Sequence, residues 1–422
     1  MNPVGMNPIG MNAVRPARPV TAATDVLDPA LLARVRDRLA IAGGEPDVAR
    51  VAAALRHELG GWAGDADLLA VLRRVQSELA GAGPLEPLLR DDRVTDILVN
   101  APDEVWVDRG AGLVRAGVGF GDEAALRLLA TRLASTAGRR LDDAQPWVDA
   151  RLADGTRLHA VLPPIAPRGT CLSLRVLRPT AYSLAELADR GALPPDGVRL
   201  IAALVATRLA FLVTGGTGTG KTTLLAALLG LVDPGERIVL VEDAGELRPV
   251  HPHVVRLEAR PPNVEGAGAV SMRDLVRQAL RMRPDRLVIG EVRGAEVADL
   301  LAALNTGHEG GCGTVHANGA GELPARLEAL GAMAGMGRHA VHSQVAAGVH
   351  VVVHLIRGAD GVRRVAEVRV LESAADGLVT AVPAVHVHPD RLVAGAGEPR
   401  LRALMVEHGV DPSYVAVRPG LG

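Results

Sequence analysis

Between Phe211 and Leu231 the chain reads FLVTGGTGTGKTTLLAALLGL, a pattern that leaves it little choice of fold. Phe211 to Thr214 is predicted as a short buried strand, Gly215 to Gly220 as a glycine-rich turn, and Lys221 to Leu231 as an apolar helix. This is a P-loop. Its residues Gly215, Gly216, Thr217, Gly218, Thr219, Gly220, Lys221, Thr222 and Thr223 form the candidate nucleotide cradle. Glycine lets the main chain curl so that its N–H groups surround a triphosphate, and the helix N-terminus adds free donors and a favourable dipole. Lys221 is expected to reach the β- and γ-phosphates, and the Thr222 hydroxyl to ligate Mg²⁺, so ATP and Mg²⁺ are the implied cofactors. Lys221 is also the only lysine, the other 45 of the 46 basic residues being arginine. A compact ammonium fits inside such a cradle where a planar guanidinium does not.

The bulk properties bound the rest. A length of 422 residues, 48% of them hydrophobic, suits about three domains with real cores. A net charge of −2 and an aromatic content of 2% supply neither a global basic field nor many stacking platforms, so direct nucleic-acid binding is not expected. Cys171 and Cys312 form no paired metal-ligand pattern, which fits a reducing cytoplasm. No apolar run approaches the ~18 residues needed to span a bilayer, and no signal-peptide core is visible. Any membrane role is therefore expected to be peripheral.

In order, residues 1–24 repeat Met-Asn among prolines and glycines and read as a disordered tail. Residues 25–81 carry Leu31, Leu32, Val35, Leu39, Leu68, Leu69, Leu72, Val75 and Leu79 at helical spacing and read as a helical module. Residues 82–190 read as a smaller α/β N-domain, with strands at 96–99, 105–108, 113–116, 157–162 and 172–177 and a helix at 123–137. GALPPDG at 191–197 is expected to be a linker, 198–372 the P-loop domain and 373–422 a C-terminal extension with one helix at 398–408. In the P-loop domain, apolar strands alternate with helices, which implies a mostly parallel sheet covered on both faces.

Phosphoryl transfer to water needs a metal clamp and a positioned nucleophile, so carboxylates should stand at neighbouring strand ends. Glu242-Asp243, with Glu246 nearby, closes RIVLVED, and Glu291 closes RLVIGE. Glu242 is favoured as the base, Glu246 being the alternative, and Glu291 as a holder of Mg²⁺, directly or through water. NTGHEGGCGTVHAN places His308 and His316 around a glycine-rich turn; His316 could report the γ-phosphate to the sheet. In the N-domain, Arg151, Arg157 and Arg175 flank strand and turn text, either as solvated surface charge or as charge aimed at a phosphate. Arg273, Arg277 and Arg281 share a helix face by their spacing, a solvated or subunit-facing stripe that also keeps a nucleic-acid motor in view.

Together these strings resemble the type II/IV secretion ATPase superfamily, in the branch of tight-adherence (Flp-type) pilus assembly and conjugal-transfer-associated ATPases often labelled CpaF or TadA. The likeness runs from GPLEPLLRDDRVTDILVN through VEDAGELRP, RPPNVEGAG and RDLVRQALRMRPDRLVIGEVRGAE to NTGHEGGCGTVHAN. The resemblance implies a RecA-like P-loop domain with a Walker A at Lys221 and Thr222, an Asp box at Glu242, Asp243 and Glu246, an atypical Walker B at Glu291 and a His box at His316. It also implies a homo-hexamer whose N-domains fold over the nucleotide, arginines at Arg151, Arg157 or Arg175 approaching it, and inner-membrane platform proteins of a pilus or secretion system as partners. The four-cysteine zinc module of some type II relatives is absent from the sequence.

Overall fold

Successive residues of the P-loop strand enter two different cores. Phe211 and Val213 pack on one side and Leu212 on the other, as do Ile238 and Leu240 against Val239 and Val241, and Val351 and Val353 against Val352. Side chains alternate across a strand, so an unbroken apolar run demands a helix layer on each face. A computed structural model describes residues 34–35, 38, 48–59, 81–110, 112–176, 181–263, 266–307, 309–411 and 417. These form two compact units that part between Val176 and Leu177. The tail at 1–24 and most of the helical module, including Leu31, Leu39 and Leu68 to Leu79, lie outside the described residues.

In the first unit, α1 (Val48–Leu59) buries Val51 and Leu55 at helical spacing, and Arg34 and Arg38 pair with its Glu58. After α2 (Glu86–Leu89) come β1 (Asp96–Ala101), β2 (Glu104–Asp108), β3 (Leu113–Arg115), α3 (Glu123–Thr136), β4 (Trp147–Arg151), β5 (Arg157–Val161) and β6 (Cys171–Arg175). The strands form an antiparallel sheet in the order β3-β2-β1-β6-β5-β4. Leu126, Leu129, Ala130 and Leu133 of α3 cover it, joining Ile97, Val107, Leu158 and Leu174 in one core. The Asp122 side chain starts α3 by accepting from Ala125 N. Strand β4 is not among the strands expected from sequence. It turns only Val148 and Ala150 inward and leaves Trp147 exposed, so its apolar signal is weak.

The second unit begins with α4 (Leu184–Asp189), opened by a capping box between Ser183 and Glu186, and α5 (Pro195–Ala206). The GALPPDG segment is thus a packed corner inside this unit and not a linker between units. Pro195 opens a helix, Leu193 and Gly197 are buried, and Ala192 O accepts from Val365 N. Then follow β7 (Phe211–Gly215), α6 (Lys221–Leu229), β8 (Ile238–Glu242), β9 (Val254–Glu258), α7 (Met272–Leu280), β10 (Arg286–Val292), α8 (Glu296–Leu304) and β11 (Cys312–His316). The rest comprises α9 (Leu323–Met333), α10 (Arg338–Gly348), β12 (Val351–Arg357), β13 (Arg363–Ser373), β14 (Val379–Val387), β15 (Leu392–Ala394) and α11 (Glu398–Glu407).

The strand order is β15-β14-β13-β12-β7-β11-β10-β8-β9, parallel from β12 to β9 and antiparallel at β13 to β15. This is the RecA-like arrangement: β7 lies between β11 and β12, and β8 stands two strands further away. The carboxyl ends of β7, β11, β10 and β8 consequently line one edge, where ligands collect in such sheets. The expected C-terminal extension is no appendage, since β14, β15 and α11 contribute Val385, Leu392, Leu401 and Leu404 to the core shared with β7.

Candidate functional site

The loop between β7 and α6 is built as its sequence dictates. Gly220 occupies the left-handed region (φ 94°) as the residue that opens α6, a conformation L side chains rarely adopt. Thr219 is buried and its hydroxyl donates to Gly216 O at 2.9 Å, while Thr217 and Gly218 are exposed and Thr222 and Thr223 half-buried. The Lys221 ammonium donates to Gly215 O at 3.0 Å and Gly216 O at 2.9 Å. Burial lowers its pKa, and the nearby charges of Glu291 and Glu246 oppose that shift. The cation is thus tethered to its own loop, at the position from which it can exchange carbonyls for phosphate oxygens.

At the end of β8, Glu242 is 2% exposed. Its Oε1 accepts from Glu246 N and Leu247 N, both at 2.9 Å, while Oε2 is buried without a partner. Desolvation raises its pKa, the two backbone donors working in the other direction. Room for the side chain comes from Gly290, where an added Cβ would lie 2.7 Å from Glu242 Cγ. The glycine preceding Glu291 in RLVIGE is therefore part of the Glu242 site. Glu246, the alternative base, holds Glu242 through its own backbone.

Glu291 on β10 and Asp243 after β8 are bridged by Arg293, 3.2 and 3.1 Å away. Sequence reasoning missed Arg293, although it lies inside the quoted string RLVIGEVRGAE. His316 ends β11 directly opposite Gly215 and is half-buried; His308 lies outside the described residues. A second missed histidine, His354 on β12, stands opposite Thr214, with its Nδ1 2.9 Å from the Thr214 hydroxyl in buried surroundings. Its pKa is lowered chiefly by burial.

These residues suit a magnesium–nucleotide complex. They offer a hydroxyl in the first turn of α6, half-exposed Glu291, and in Glu242 a buried carboxylate oxygen lacking a partner. Among the described residues no three His, Cys, Asp or Glu side chains are gathered as a metal cage. Mg²⁺ keeps several waters and takes phosphate oxygens as ligands, so Thr222 and Glu291 are the side chains that would hold it.

In the first unit the strand pairing brings all three candidate arginines together. Arg151 is paired with Arg157 across β4 and β5, and Arg157 with Arg175 across β5 and β6, so the three form a row on one face. Arg175 continues the row to Asp96, 3.2 Å away. The other arginine stripe has an internal explanation. Arg273 and Arg277 of α7 both bond Asp299 of α8, at 2.6 and 3.0 Å. Cys312 is buried, its thiol pushed up to about 12 by desolvation, which leaves it inert at neutral pH.

Residues 78–389 match the family described as "Type II/IV secretion system protein". A putative conjugal transfer protein of Mycobacterium tuberculosis is 64% identical over 329 residues, 76% of this chain and 93% of the relative. The type IV secretion system protein PtlH of Bordetella pertussis is 37% identical over 268 residues, 58% of this chain and 78% of that one. Among solved structures, the VirB11 ATPase of the Brucella suis type IV secretion system shares 26% identity at a TM-score of 0.36. That alignment covers 68% of this chain and 94% of the other. Among the described residues no helix is long and apolar enough to cross a membrane.

Proposed function

We propose, from the premise that this chain belongs to the type II/IV secretion system protein family, that it is an ATP-hydrolysing motor for a pilus or secretion machine. In this reading it works as a homo-hexamer docked peripherally on inner-membrane platform proteins. The observation that carries the proposal is Glu242: a buried carboxylate with one oxygen fixed by two backbone donors and the other unpartnered, at the carboxyl end of a strand on the same sheet edge as the phosphate loop.

The roles follow from chemistry. Lys221 leaves its two carbonyls to neutralise the β- and γ-phosphates. Thr222 and Glu291 would hold Mg²⁺, Glu291 directly or through water, and Mg²⁺ would supply charge neutralisation across the phosphates. Glu242 takes the proton of the attacking water, a task for which its raised pKa suits it, with Glu246 keeping its carboxylate aimed. His316 at the end of β11 contacts the γ-phosphate and passes its presence to the sheet. Arg151, Arg157 and Arg175 supply the further cation that the transition state requires, from the N-domain of a neighbouring subunit.

A conjugation-type transfer motor is the second reading, favoured by the description of the M. tuberculosis relative. The engagement of Arg273 and Arg277 by Asp299 supports a protein partner over direct contact with nucleic acid on that helix face. The test is capture of membrane proteins by crosslinking a Glu291→Gln variant in its native cells. Pilus platform proteins support the leading reading, DNA-transfer proteins the second, and recovery of neither rejects both.

A further inference from the structure

The hairpin of β12 and β13 forms the outer wall of the phosphate loop. β12 runs parallel to β7, with His354 opposite Thr214 and Leu355 opposite Gly215. From the first position of β13, Arg363 reaches back to the loop 145 residues earlier, where its Nε donates to Gly218 O at 2.9 Å. Its aliphatic stem fills the space beside Gly220, where an added Cβ would lie 3.3 Å from Arg363 Cδ.

A trans peptide points its C=O and the following N–H in opposite directions. With the Gly218 carbonyl turned to Arg363, the N–H of Thr219 points away from that side chain. Phosphate loops bind their anion through such N–H groups. The carbonyls of Gly215 and Gly216 are held by Lys221, so the loop has three carbonyls engaged by cations. The two cations differ in what binding asks of them. Lys221 must leave its carbonyls to meet a phosphate, whereas Arg363 can stay.

The charge around Arg363 argues in the same direction. Its neighbour Arg364 is paired with Asp360, but among the described residues no carboxylate pairs with Arg363. Its register partner across the hairpin is Arg357, and like charges placed opposite each other are destabilising. An anion in the adjacent loop would offset that cost.

We propose that Arg363 is a positioning residue for phosphate binding: it fixes the Gly218–Thr219 peptide so that the loop presents its N–H groups to the diphosphate part of ADP and ATP. This rests on reading the loop as an ATP site. It acts on bound ground state and transition state alike, so it belongs to affinity and not to the chemical step.

The test uses the full chain as Arg363→Ala, Arg363→Lys and, as a neighbouring control, Arg364→Ala. Equilibrium binding of ADP and of a non-hydrolysable ATP analogue is measured beside steady-state ATP hydrolysis. Arg363→Ala should raise both Kd values and KM by about tenfold, the scale of one hydrogen bond from a charged donor, with kcat within about twofold. Arg363→Lys, which keeps a charge and a donor, should recover part of that loss, and Arg364→Ala should bind like the unmutated chain. The melting temperature without nucleotide should change by no more than about 4 °C, the scale of one exposed hydrogen bond. Unchanged Kd and KM in Arg363→Ala would overturn the inference while leaving the ATP site standing. A fall in kcat at constant KM would also overturn it, as would a loss of binding matched by a larger fall in melting temperature and no rescue by lysine. An unmutated chain that binds neither nucleotide removes the ATP site and this inference with it.

Discussion

The two units handle charge in opposite ways. In the second, parallel strands joined by helices bring Glu242, Glu291 and the phosphate loop to a single edge, and the chemistry is sequestered: Glu242 is 2% exposed and Lys221 9%. In the first, antiparallel pairing sets Arg151, Arg157 and Arg175 side by side on a sheet face, with the Arg175 side chain 55% exposed. A parallel sheet converges distant chain segments on an edge that can be kept dry. An antiparallel sheet aligns residues in rows that stay wet, at modest cost to the fold. The difference is that between charge gathered on a buried strand edge and charge laid out in a row on a sheet face.

The largest effect expected is at Lys221. Lys221→Ala should cut Mg²⁺-dependent ATP hydrolysis by at least about 100-fold, as loss of a group that meets developing charge does. Lys221→Arg should also be crippled because the guanidinium fork does not fit the cradle. Phosphate release by the purified proteins measures this, and an unmutated rate in Lys221→Ala would dismiss the pre-built site.

Glu242→Gln comes next, with a loss on the order of 100-fold expected for a general base. Its stability should move the other way. The folded chain raises the Glu242 pKa, so it holds that proton to higher pH than the unfolded chain does. The resulting stabilisation is complete below the unfolded pKa and is lost as pH rises through the folded one. At neutral pH the ionised side chain is a cost that glutamine lacks, so Glu242→Gln should melt roughly 2 °C higher. That gap should close on acidification, and the turnover of the unmutated chain should fall as Glu242 becomes protonated. Equal melting temperatures across the pH range would show the carboxylate to be better solvated than its burial indicates. Normal turnover in Glu242→Gln with a dead Glu246→Gln would move the base to Glu246.

The smallest effects belong to the arginine row. Single alanine substitutions at Arg151, Arg157 and Arg175 should each lower turnover, with Arg157 the most affected because it sits between the other two. A loss of roughly tenfold or more there is expected of a cation contacting the transferred phosphoryl group. Full activity in all three would make the row surface charge.

What could be read from the sequence was what local spacing carries. The phosphate loop is covalently contiguous, and Glu242 and Glu291 announce themselves because an apolar run ends on each. The remainder depends on pairings far apart in the chain. Arg151, Arg157 and Arg175 stand in separate strands, and only register reveals that they form a row. Asp299 engages Arg273 and Arg277 from another helix, so two arginines of a stripe whose spacing reads as solvated or subunit-facing are tied down. Arg363 contacts a loop 145 residues away, and nothing in its neighbourhood marks it. GALPPDG is ambiguous for a related reason: its prolines suit a stiff linker and a helix start equally, and burial of Leu193 and Gly197 decides between them.

The central proposal, that a built-in site in one subunit is completed by the arginine row of another, has a direct test in mixed assemblies. Lys221→Ala protein, with an intact row and a dead loop, is combined with Arg157→Ala protein, with an intact loop and a broken row, and ATP hydrolysis is followed against each variant alone. Activity rising in the mixture above the sum of the separate rates is the predicted result. Mixtures that stay at that sum, although light scattering shows the variants co-assembling, would contradict the account.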